Sequence, residues 1–214
     1  MTDGMTWLAA PRSIAFGGYS VVMARGLTPQ ELVGRLTQTL RGPRHTAVPV
    51  GDLTGADLLA LMVEYDEIGL RHGRCGDWSY TVAYGGWMGE FGGGPPLSRG
   101  GVDICHLEFE EENGKPVPPQ FAYVRDEVVL SAFNLHLDGS WGYDGVDGDP
   151  GTASRVQAAL TAAGLPADEG TDDSTGDRYV HRTALGVVER HFGLSLPREE
   201  IVNGLLPAVL LEPA

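Results

Sequence analysis

Apolar and polar residues alternate one by one between Trp78 and Tyr84, where Trp78, Tyr80, Val82 and Tyr84 are interleaved with Ser79, Thr81 and Ala83. A period of two predicts a half-buried strand with an aromatic face, turned at Gly85-Gly86. Residues 102–110 predict another strand with Cys105, Leu107 and Phe109 on one face. Residues 121–124 and 128–137 predict a hairpin turned at Arg125-Asp126-Glu127, which completes an antiparallel meander. Earlier in the chain, residues 14–24 predict a strand with a bulge at Gly17-Gly18, residues 46–50 a short extended piece, and residues 64–73 a further strand.

Elsewhere the spacing is helical. Thr28-Pro29-Gln30-Glu31 is a capping box with proline at the first helical position, and Leu32, Val33, Leu36 and Leu40 follow on one stripe. Leu58, Leu59, Leu61 and Met62 predict a short second helix. After Thr152, Val156, Ala159, Leu160 and Ala163 form a helical stripe stopped by Gly164 and Pro166. Val180, Ala184, Val187, Val188 and His191 mark a longer helix closed by Gly193, and Pro197 with Ile201, Val202 and Leu205 begins a last short one. Gly92-Gly93-Gly94-Pro95-Pro96 is read as a loop or flap. The expected fold is a single α+β domain over residues 1–214. Its mainly antiparallel sheet of five to six strands is packed by N- and C-terminal helices, with a flexible acidic linker at 166–177.

Charge narrows the partners. The 214 residues carry a formal charge of −14, and residues 126–177 hold eleven Asp and Glu against the lone Arg155. Such a field repels nucleic-acid backbones and speeds encounter with a basic partner. An apolar content of 42% is enough to bury a core without disulfides or metal. Cys75 and Cys105, in a chain that opens without a basic and apolar leader, point to a cytoplasmic protein with free thiols. No apolar run approaches the ~20 residues that span a bilayer.

Four stretches carry a likeness: residues Ala24-Arg25-Gly26-Leu27-Thr28-Pro29-Gln30-Glu31-Leu32, Asp77-Trp78 through Gly86-Trp87, Leu97-Ser98-Arg99-Gly100, and the pair of helices from Ala184-Leu185 to Leu196-Pro197. In these the chain resembles a family of small acidic bacterial proteins, common in filamentous soil bacteria and catalogued as a domain of unknown function. The resemblance implies a shared fold and transfers no site. The acidic stretch 108–119 and the 138–149 loop stand outside it.

No motif names a reaction. Ser98 lacks the first glycine of a nucleophile elbow, and the glycines at 92–94 precede two prolines rather than a phosphate-binding helix. His106 and His136, flanked by Glu108 and Asn134, offer two imidazoles and a carboxylate, but not at a recognised zinc spacing. His181 and His191, ten residues apart on one helix, do not share a face. Cys75 has His72, Arg74 and Asp77 nearby, and reads as structural before reactive. Asp138, Asp144, Asp147 and Asp149 miss the alternation of a calcium loop. No metal or other cofactor is expected.

Trp141 and Tyr143 lie among those aspartates, where a large aromatic either folds back as a lid or serves as a contact anchor. Trp87 invites the same pair of readings. The expectation is a non-catalytic protein-binding module, of an inhibitor or immunity type, that captures a basic partner. Its contact residues would be Trp87, Glu108, Glu110, Asp138, Trp141, Tyr143, Asp144, Asp147 and Asp149. The alternative is an enzyme or a small-ligand or metal-binding protein with a polar pocket on the sheet, built from His106, His136, Glu108 and Cys75.

Overall fold

A computed structural model describes residues 4–14, 18–39, 45–62, 67–85, 94–110, 117–165 and 174–213. Among these residues eight strands make one antiparallel sheet: β1 (Gly18–Arg25), β2 (His45–Leu53), β3 (Ile68–Cys75), β4 (Trp78–Tyr84), β5 (Asp103–Glu110), β6 (Gln120–Arg125), β7 (Val128–Asn134) and β8 (Leu206–Pro213). Their spatial order is β2-β8-β3-β4-β1-β5-β6-β7. The α+β class holds, but the sheet exceeds the expected five to six strands. The unforeseen strand is β8, an apolar run with prolines at 207 and 213 that lacks alternation because it lies inside the sheet, between β2 and β3. Pro49 and a register shift beside Gly51 mark β2 as an edge strand.

Among the described residues six α-helices accompany the sheet: α1 (Pro29–Thr39), α2 (Gly55–Leu61), α3 (Gly94–Leu97), α4 (Pro150–Ala162), α5 (Ser174–Phe192) and α6 (Arg198–Val202). The cap of α1 is reciprocal, Thr28 N donating to Glu31 Oε2 at 2.7 Å and Glu31 N to Thr28 Oγ1 at 3.2 Å. A second capping box, Thr54 with Asp57, starts α2 ahead of the leucines that predict it. Residues 94–96, read as loop, form the helical turn α3 together with Leu97, and α5 begins within the acidic stretch, so residues 174–177 are its first turn. Residues 166–173 and Leu40 lie outside the described residues.

The two faces of the sheet carry separate cores. Val22, Ala24, Ile104, Leu70 and Val209 pack under Leu32, Val33 and Leu36 of α1 and Leu97 of α3. The opposite face, with Val21, Met23, the aromatic row of β4, Cys105 and Leu107, packs under Val156 and Leu160 of α4 and Ala184, Leu185 and Val188 of α5. Strand pleating accounts for the division, since successive side chains point to opposite faces. Cys75 and Cys105 are free. β4 and β1 separate their strands, which places the thiols beyond disulfide reach. Among the described residues no helix is long and apolar enough to cross a membrane.

Candidate binding site at the β7 edge

The loop after β7 is held at both ends. The Asn134 side chain clamps its start, Oδ1 accepting from Asp138 N at 2.9 Å and Nδ2 donating to Asp138 O at 3.2 Å. Asp138 Oδ1 accepts from Ser140 N at 2.8 Å and caps a 3-10 turn over Gly139–Trp141. Gly142, at φ 82°, ends that turn in the left-handed region that glycine tolerates. Gln157 of α4 pins the middle of the loop, its Oε1 accepting from the Tyr143 hydroxyl at 3.0 Å and from Val146 N at 3.1 Å. Asp147 pairs its backbone with Ala132 of β7, and Asp149 caps α4 through Thr152 N at 2.8 Å. The loop thus covers the β7 edge and leaves Trp141 45% exposed.

Trp141 borders two cavities. One, of about 360 Å³, lies on the α5 face, with Phe109, His136 and His181 on its walls and Glu110, Asp138 and Asp177 also lining it. The other, of about 300 Å³, is lined by His106, Gln120, Asn134, Tyr143 and Asp147.

Behind the first cavity the Tyr19 hydroxyl and His181 Nε2 are 2.7 Å apart in the buried core. The His136 ring lies 5.5 Å from that of His181, edge to face, and Phe109 packs against both. Burial pushes the His181 pKa down to about 3, with His136 adding to the effect. Burial also lowers His136, although Asp177 and Asp138 oppose the shift. Both imidazoles are therefore neutral at neutral pH, and burial first, then Cys105, keeps the Tyr19 phenol protonated.

His106 and Glu108 lie on the other face of the sheet. β5 alternates them with Cys105 and Leu107, so they point toward the α1 side, whereas the turn after β7 carries His136 to the α5 side. The two histidines do not converge. His106 Nε2 approaches Glu108 Oε2 at 3.5 Å without hydrogen-bond geometry, and Ser20, paired with Glu108 across the ladder, buries its hydroxyl with no partner among the described residues. Burial drives His106 down to about 4. Burial, then repulsion from Glu110, raises Glu108 to about 7. At neutral pH this contact joins a neutral imidazole to an acid whose ionisation burial opposes, not two full charges.

The expected contact residues divide. Glu110, Asp138 and Trp141 line the first cavity, Tyr143 and Asp147 share the second with Trp141, and Glu108 stands beside His106. Asp144 is exposed on the loop, Asp149 is a helix cap, and Trp87 lies outside the described residues. Other carboxylates serve the fold: Asp103 is bound by Arg25 and Arg125, Glu127 by Arg99, and Asp126 accepts from the amides of Gly100 and Gly101. Tyr19 and Asp177 are not among the residues the sequence singles out, and His181 is weighed there only against His191. Asp177 and His181 are four apart on α5 and so share a face, the one local signal that sequence offers for them.

None of the protein-family models, curated proteins or solved structures compared with this chain matches it. Among the described residues no three His, Cys, Asp or Glu side chains gather in a way that would hold a metal ion.

Proposed function

We propose that the protein is a non-catalytic binding module of an inhibitor or immunity type, which captures a basic protein partner through the acidic cleft on either side of Trp141. The observation that carries this reading is the place of Trp141, half exposed between two cavities whose rims hold Glu110, Asp138 and Asp177 on one side and Asp147 on the other. A large aromatic anchor ringed by charge is the composition of a binding hot spot. The net charge of −14 adds long-range attraction, so association is fast and weakens with salt. Two free thiols fit an encounter in the cytoplasm.

The test is retention of basic proteins on the immobilised chain at low and high ionic strength, with Trp141→Ala and Asp138→Asn as matched controls. Salt-sensitive retention that both substitutions abolish supports the reading. Retention that ignores both substitutions removes the cleft from it.

A second reading, a small-ligand site or enzyme, draws on the neutral Tyr19, His181 and His136 cluster behind the first cavity. Substrate turnover lost on His136→Ala, with partner capture intact, would favour that reading.

A further inference from the structure

We propose that the first cavity is an arginine pocket, which receives the guanidinium group of one side chain of the basic partner. The inference rests on the reading of the cleft as a site for such a partner, and it names the residue recognised.

Four observations converge on that chemistry. First, the cavity of about 360 Å³ is at the small end of ligand pockets and has room for one side chain rather than a folded segment. Second, its lining includes four planar π side chains from three elements: Phe109 on β5, His136 and Trp141 on the loop after β7, and His181 on α5. Guanidinium is planar and weakly hydrated and stacks on such faces, whereas the compact lysine ammonium holds its water and gains less.

Third, carboxylates enter from separate elements, Asp138 from the loop and Asp177 from the first turn of α5, so a forked donor can reach both. The Asp177 carboxylate makes no hydrogen bond or ion pair among the described residues and acts electrostatically on His136. Asp138 Oδ1 accepts from both Ser140 N and Ser140 Oγ, and its Oδ2 takes no hydrogen bond among the described residues. Fourth, both imidazoles are neutral at neutral pH, so no positive charge behind the cavity opposes an incoming cation. Arg178, itself exposed, is the one permanent cation lining the cavity among the described residues.

The experiment is an NMR titration of the full chain at neutral pH with N-acetyl-arginine amide and, separately, N-acetyl-lysine amide. The expected result is saturable movement of the Trp141 indole and Asp177 amide signals with the arginine compound, at an affinity about tenfold above that of the lysine compound. In the double variant Asp138→Asn and Asp177→Asn the arginine response is expected to disappear while the other resonances stay in place. Equal responses to the two compounds, or none to arginine, overturn the arginine pocket. Salt-sensitive capture of basic proteins is measured without either compound, so the broader binding reading stands or falls separately.

Discussion

The Tyr19 hydroxyl on β1 and His181 Nε2 on α5 meet at 2.7 Å across a sequence separation of 162 residues, in a spot where neither side chain is more than 2% exposed. This contact ties the long C-terminal helix to a central strand of the sheet. Tyr19→Phe keeps the ring packing and leaves Nε2 buried without its partner. A loss of about 1–3 kcal/mol of unfolding free energy is expected, the cost of an unmet buried polar group. Urea unfolding of the two proteins measures it.

Acid should destabilise the fold through its buried imidazoles. His181, held down to about 3, and His106, held down to about 4, stay neutral in the folded chain while the unfolded chain protonates near the ordinary histidine value of 6.5. Their contribution is therefore complete above pH 6.5 and declines as pH falls toward the folded values. The slope approaches about 1.4 kcal/mol per pH unit for each group. His181→Gln removes one titrating site, so stability measured across this window should fall less steeply than in the parent.

Glu108 has the opposite sign. Its folded pKa, raised to about 7 from an ordinary 4.5, favours the protonated acid. Its share of stability is present below pH 4.5 and lost as pH rises through 7. Glu108→Gln should therefore stabilise the protein in mildly alkaline solution, by up to about 3 kcal/mol relative to its effect in acid. Thermal melts of both proteins at pH values on either side of the folded pKa decide the point, and an equal effect at both would remove Glu108 as the titrating group.

What the sequence makes legible is the part of the fold governed by local period. Alternation places Trp78, Tyr80, Val82 and Tyr84 together in the core facing α4 and α5, and the pattern around Thr28 marks the start of α1. Local period does not reach β8, whose continuous apolar run reports burial on both faces rather than a strand. The first cavity is less legible still. It joins Phe109, His136, Trp141, Asp177 and His181 from one strand, one connecting segment and a helix, with Tyr19 behind them, and only the Asp177 to His181 spacing hints at the grouping. Pairing His106 with His136 from strand position fails because pleating and the turn after β7 send them to opposite faces.

Arg71 shows how a buried cation can be structural. It is 0% exposed, and its guanidinium donates to Leu53 O at 2.9 Å, the Tyr84 hydroxyl at 2.8 Å, Ile201 O at 2.8 Å and Gly204 O at 2.6 Å. The carbonyls from α6 and its exit have lost helical partners, so a single fork satisfies the end of α6 and joins it to β2 and β3. Arg71→Leu should cost about 3–5 kcal/mol. Arg71→Lys should rescue little, because an ammonium has three donors and no planar fork. Denaturant midpoints for both variants test the claim, and a full rescue by lysine would contradict it.

Trp141 and Asp149 belong to the same loop, and their substitution should separate binding from stability. The Trp141 indole is 45% exposed at the mouth of both cavities, so Trp141→Ala gives up little burial and should shift stability by less than about 1 kcal/mol. Capture of a basic partner should nevertheless be lost, since the variant deletes the anchor and leaves the charge in place. Asp149 behaves inversely. Its carboxylate caps α4 and is held below the usual range by hydrogen bonding to Thr152, and it lines neither cavity. Asp149→Ala should lower the melting temperature and leave partner affinity unchanged at temperatures where the chain is folded. Melting curves and binding isotherms on both variants test the pair. If Trp141→Ala melts early with affinity intact, the indole is a lid on the core and the binding surface lies elsewhere.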